Sequence, residues 1–184
     1  MPASRRTRGK SGQALGLDIG SKVAKAILME EKGPRLDICA AGSINLPDGM
    51  VEGGVVLDPQ GLGKKIAAQL SSWNVAATTA IISIPSSLAV LRWIHLPPLE
   101  GEELRSAAKY KAKRHLPFST DSAYIEASPV ELSEDGQTGS SLVIATRREV
   151  VDSRAEAVEA AGLRPGIAEL EAQSILRVVE RHLN

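Results

Sequence analysis

The chain opens with alternating apolar and polar positions and later shifts to helical spacing. Leu15, Leu17 and Ile19 alternate with Gly16 and Asp18, and an apolar run resumes from Val23 to Leu28 beyond Gly20-Ser21. That pattern predicts two strands joined by a tight turn. Arg35 to Ile44 reads as a third strand, ending at Asn45-Leu46-Pro47-Asp48-Gly49, where Pro and Asp-Gly mark a turn. Met50 to Val56 is a short extended piece containing Gly53-Gly54. A helix then starts with Asp58 as N-cap and Pro59 at its first position, and Leu62, Ile66 and Leu70 line one side to about Ser72. Thr78 to Ile84 is a β-branched run of the kind buried in the middle of a sheet.

Leu88 to Leu96 is a further strand. Glu100 to His115 is a helix with Leu104, Ala107, Ala108 and Ala112 on one face, acids at its start and Lys109, Lys111, Lys113 and Arg114 at its end. This charge order suits the helix dipole and reads as a solvated helix end. Ala123 to Leu132 and Ser140 to Thr146 form a hairpin around Ser133-Glu134-Asp135-Gly136. Arg147 to Ala161 is a helix stopped at Gly162, followed by a strand (Arg164 to Leu170) and a last helix (Glu171 to Leu183). Strands and helices interleave, so the class is mixed α/β. The segmentation predicts a core subdomain from residues 13–84 and 140–184, an inserted subdomain over 85–139, and a disordered basic tail over 1–12 carrying Arg5, Arg6, Arg8 and Lys10.

Composition narrows the function classes. The 184 residues are 43% apolar but hold five aromatics, Trp73, Trp93, Tyr110, Phe118 and Tyr124, so the core rests on Val, Ile, Leu and Ala. Basic and acidic residues balance at 22 each. No global field recruits nucleic acid, and single strands lack stacking platforms. No run reaches the roughly 18 apolar residues needed to span a bilayer, and no signal-peptide h-region follows the basic start. A single cysteine, Cys39, precludes an internal disulfide and reads as a reduced core thiol in a cytoplasmic setting.

Candidate chemistry concentrates in Leu15–Leu28. Gly20 lets backbone N–H groups approach an anion. Asp18 suits magnesium-bound water, since magnesium keeps most of its waters and borrows one or two carboxylates. Lys25, seven residues beyond Asp18, is a point charge able to reach phosphate from the second strand. A plain edge hairpin with a Gly-Ser turn is the competing reading. His95, His115 and His182 form no acid/base constellation; the first two sit beside Leu-Pro elements and read as structural.

Four segments carry a resemblance: LGLDIGSKVAKAIL (15–28), NLPDGMVEGGVVLDPQGL (45–62), ISIPSSLAVLRWIHLPPL (82–99), and KRHLPF (113–118) with AGLRPGIAELEA (161–172). In this order and spacing the chain resembles the PilM family of type IV pilus assembly, actin-like proteins related in fold to FtsA. The resemblance implies an actin/Hsp70-like (ribonuclease H-like) α/β lobe with a small inserted subdomain of FtsA type. It implies that Asp18 helps hold magnesium through water, that Gly20, Ser21 and Lys22 lie along the phosphates of ATP, and that Lys25 reaches them. The sequence departs from the family at Lys111, where an acid is usual. Relatives continue for about as many residues again, within ordinary domain lengths, into a second lobe absent from these 184 residues. ATP and Mg2+ are therefore expected to bind weakly, and the cleft side to expose an apolar patch.

The function implied is a cytoplasmic adaptor at the inner face of the inner membrane. It would capture the N-terminal cytoplasmic tail of PilN, in a groove between the core and the inserted subdomain, alongside other inner-membrane pilus components. An extended peptide could pair with exposed backbone, with Leu88–Leu96 as a wall and Arg92 and Trp93 either contacting it or simply packing. The alternatives are an ATPase or small-molecule kinase of the same superfamily, or an FtsA-like filament protein that self-associates.

Overall fold

The computed structural model describes residues 13–33, 35–74, 77–134 and 138–183, with side chains described through residue 180 in the last helix. The expected tail over residues 1–12 lies outside the described residues, as do residues 135–137 of the Ser133–Gly136 turn. The chain divides into two compact units. The first runs up to Ser86 and resumes at Val150; the second is Ser87–Glu149.

The first unit is built on the opening hairpin. β1 (Gln13–Ile19) and β2 (Val23–Lys32) pair antiparallel, and β3 (Arg35–Asn45) adds to β2. β4 (Val51–Glu52) and β5 (Val55–Val56) form a separate small ribbon turned by Gly53 and Gly54, both at positive φ, the conformation a two-residue hairpin turn requires. α1 (Pro59–Ser72) starts as its sequence predicts, with the Asp58 carboxylate accepting from Gly61 N–H at 2.8 Å. β6 (Thr79–Ile84) lies parallel to β1 on the side opposite β2.

The second unit opens with β7 (Ala89–Leu96) and α2 (Gly101–Ala112), followed by β8 (Ala123–Ala127), the short β9 (Glu131–Leu132) and β10 (Gly139–Arg147). α3 (Arg148–Ala160) returns the chain to the first unit, where β11 (Arg164–Leu170) pairs parallel with β6 and α4 (Glu171–Leu183) follows. The first sheet thus has the order β11-β6-β1-β2-β3.

One face of that sheet carries Leu15, Leu17, Ile19, Ala24, Ala26, Leu28, Ala80 and Ile82, packed with Leu62, Ile66 and Leu70 of α1 and Ala157 and Val158 of α3. Each fully buried Leu or Ile there contributes about 1.5–3 kcal/mol of hydrophobic transfer energy. The opposite face carries Gly16, Asp18, Lys25 and Ile27, the alternate residues of the same strands. β6 lies between β11 and β1, inside the sheet as its β-branched run predicts, while its burial alternates and Ile81 is exposed. The reason is that α1 and α3 cover one face alone.

In the second sheet β10 is central, with β7 on one side and β8 and β9 on the other. α2 packs Leu104, Ala108 and Ala112 onto Ile94, Leu96 and Val143. This corrects two boundaries. Residues 140–149, assigned from the sequence to the core subdomain, belong to the second unit because β10 pairs with β7. The expected single strand Ala123–Leu132 is broken at Ser128-Pro129. There Ser128 Oγ accepts from Leu142 N–H at 2.9 Å, and the Ser128 carbonyl accepts from the buried Ser141 hydroxyl at 2.7 Å. Cys39, expected in the core, is a free, exposed thiol. The β2–β3 register slips between Leu28 and Met29, pairing them with Ala40 and Ile38, so Cys39 is the extra residue on an outer strand.

Candidate functional site

β1 delivers Asp18 to the open face of the first sheet, one residue before the strand ends. The chain reverses immediately: Gly20 N–H donates to the Val23 carbonyl at 3.1 Å. A Cβ on Gly20 would sit 2.9 Å from that carbonyl oxygen, so the turn closes at this tightness only without a side chain.

The antiparallel register places Lys25 directly opposite Asp18. Lys25 Nζ lies 3.2 Å from Asp18 Oδ2, with the lysine side chain 71% and the aspartate side chain 38% exposed. On the other flank, Ser83 near the end of β6 donates its hydroxyl to Asp18 Oδ1 at 2.8 Å. Each carboxylate oxygen therefore has its own partner, and the side chain is fixed from both neighbouring strands. A half-exposed ion pair of this kind contributes little stability, since water screens it. Its consequence is orientation.

These residues line an open cavity of about 610 Å3 whose walls include Gly16, Asp18, Lys25, Ile27, Ile81 and Ser83, with Ser174 of α4 at its margin. Gly16 contributes no side chain to the wall. Asp18 is the one acid lining it among the described residues, and no cluster of three or more His, Cys, Asp or Glu side chains suited to a metal occurs among them. A lone carboxylate matches the donor set of magnesium held chiefly by water and phosphate, and does not match a cation caged by protein alone.

Lys22 goes elsewhere. Its ammonium pairs with Asp48 in the loop after β3, and its carbonyl accepts from Leu46 N–H at 2.8 Å. The ammonium holds the Asp48 carboxyl below its usual value by hydrogen bond and charge. Ser21 is exposed at the tip of the turn. Of the five residues singled out in the sequence, the fold thus brings Asp18 and Lys25 together in one cavity, sets Gly20 and Ser21 in the turn beside them, and ties Lys22 to a separate loop. Ser83 was missed. The available signal was a hydroxyl near the carboxyl end of a parallel strand, the edge where α/β sheets gather their ligands.

Leu17, Ala26, Ile27, Ala41 and Ile81 make the cavity wall around this polar spot largely apolar. Ile81, Ile38 and Leu36 are exposed, and α4 exposes Ile175, Leu176, Val178 and Val179. Lys111, the departure from the family pattern, donates its ammonium to the His95 carbonyl within the second unit.

Comparison with known proteins agrees with this architecture. Over 92% of its length the chain superposes on a chain of a PilM-PilN type IV pilus biogenesis complex, with a TM-score of 0.81 and 25% identity, covering 51% of that chain. The cytoplasmic domain of EpsL, an inner membrane component of the Vibrio cholerae type II secretion system, shares the fold. Its TM-score is 0.57 at 11% identity, over 86% of this chain and 57% of that one. A type II secretion system protein L from Xanthomonas campestris pv. campestris is 34% identical over 77 residues, 42% of this chain and 20% of that protein. The chain therefore spans about half the length of the chain it matches in that complex, and less of the secretion protein. The fold is the mixed α/β fold that these structures share. A model of the type IV pilus assembly protein PilM family matches residues 16–184, nearly the whole sequence, and the chain belongs to that family.

Proposed function

We propose that the chain acts as a cytoplasmic adaptor of type IV pilus assembly. In this reading it captures the N-terminal tail of a PilN-type partner at the inner face of the inner membrane, with a nucleotide phosphate site at the opening hairpin. The observation that carries the adaptor reading is the superposition on a PilM-PilN complex over 92% of the chain. Local geometry supports it. β7 is the outer strand of its sheet, and Trp93 on it is 60% exposed. An outer strand offers main-chain donors and acceptors to an extended peptide, and an exposed indole supplies a large contact at small entropy cost. No helix among the described residues is long and apolar enough to cross a membrane, so membrane attachment in this reading comes through partners.

For the nucleotide, Asp18 would hold magnesium through water, the backbone at Gly20 and Ser21 would lie along the phosphates of ATP, and Lys25 would exchange its Asp18 partner for phosphate oxygens. The cavity is open and Lys25 mostly exposed, so these contacts are screened and binding is weak. Isothermal titration with a synthetic peptide copying the PilN cytoplasmic tail, and separately with Mg-ATP, tests both halves. Saturable peptide binding with weak, magnesium-dependent ATP binding is expected. Absence of peptide binding refutes the adaptor, and tight ATP binding refutes the screened site.

A further inference from the structure

Arg154 of α3 is the largest fully buried side chain described in the chain, 1% exposed. Its guanidinium meets backbone carbonyls from three places: Nη1 donates to Gly54 of the β4–β5 hairpin and to Val150 one turn back at 2.9 Å, and Nη2 donates to Ile19 at 3.3 Å. Ile19 is the last residue of β1, immediately before Gly20. The buried Nε of Arg154 has no hydrogen-bond partner, and no carboxylate pairs with the guanidinium among the described residues. Asp18 and Glu171 act on it only through space, against a burial that pulls its proton affinity below the usual guanidinium value. The preceding residue ties the same hairpin, Ser153 Oγ accepting from Val56 N–H at 3.1 Å.

Burying an unpaired guanidinium is costly, and packing alone would be met more cheaply by Met or Leu. The arginine stays protonated at neutral pH, so it lends positive potential to the end of β1 while its planar fork spans two segments that share no strand pairing.

We propose that Arg154 is a positioning residue that clamps the β4–β5 hairpin to the backbone entering the Gly20–Ser21 turn, fixing that turn and biasing it toward an anionic group. The anion half of this inference rests on the phosphate reading above; the clamp does not.

Hydrogen–deuterium exchange on the whole chain decides the clamp. In R154M, exchange at the Gly20–Val23 turn and at Val55–Leu57 should both rise at least tenfold, with the α1 amides Leu62–Leu70 unchanged. S153A should loosen the hairpin alone. Should R154M fail to fold, R154K is read the same way, because a single ammonium nitrogen then replaces the two separate nitrogens that reach Gly54 and Ile19. Turn exchange within twofold of wild type, or a uniform rise that includes α1, overturns the clamp. Titration with magnesium tripolyphosphate reads the second half: R154M should bind at least tenfold more weakly and R154K within threefold of wild type, and equal affinity in R154M overturns it. If the wild type binds no tripolyphosphate, the phosphate reading and the anion half fall together, while the exchange result still decides the clamp.

Discussion

Ser83 on β6 and Asp18 on β1 join across the parallel strand pair, the serine hydroxyl donating to Asp18 Oδ1 at 2.8 Å over a separation of 65 residues. The bond leaves Asp18 Oδ2 to Lys25. It fixes the carboxylate before any cation arrives, which lowers the ordering cost of binding.

S83A removes that bond without disturbing the sheet. Net stability should fall by about 1 kcal/mol, and Mg-ATP should bind several-fold more weakly. Urea unfolding and calorimetric titration measure the two effects. Unchanged nucleotide affinity would separate Ser83 from the site.

K25M breaks an ion pair that water already screens, so the change in stability should stay below about 0.5 kcal/mol. Mg-ATP affinity should drop far more than stability, because the lysine is then missing from the phosphates. The same two measurements in parallel reveal the split, and a proportionate loss in both would show a structural role only.

G20A forces a Cβ to 2.9 Å from the Val23 carbonyl oxygen. Opening the turn should cost about 1–3 kcal/mol, the range for overpacking a tight site. A lowered thermal midpoint with retained far-ultraviolet dichroism is the expected signature.

The Lys22–Asp48 pair predicts a pH effect. The carboxyl of Asp48 titrates below its ordinary value of 3.8 in the folded chain. It therefore stabilises the fold above that value, and the contribution is lost as pH falls through the lower folded value. K22M should flatten the acid limb of the stability curve below about pH 4, with no change near neutrality other than loss of a screened pair. A curve identical to wild type in acid would show that the pair does not form in solution.

Local signals were readable from the sequence and long-range pairings were not. The start of α1 was legible because Asp58, Pro59 and Gly61 interact within one turn. The hairpin was legible because apolar runs on either side of Gly20-Ser21 mark two strands and a tight turn, which the antiparallel pairing of β1 with β2 matches. Ser83 was not, since its partner is set by which strand lies parallel to β1. Lys22 was drawn to the phosphates by the family resemblance, whereas Asp48, 26 residues on, takes it in the fold. The allocation of β10 to the second sheet and the outward displacement of Cys39 both follow from strand pairing and register, which apolar spacing does not encode.

The adaptor account is tested most directly by backbone amide shifts of the isotope-labelled chain during titration with the PilN-tail peptide. The account predicts saturable shifts, with new exchange protection on the outer edge of Ala89–Leu96 and a shift of the Trp93 indole N–H. Saturable binding that leaves Ala89–Leu96 and Trp93 unmoved, or no binding, would contradict it.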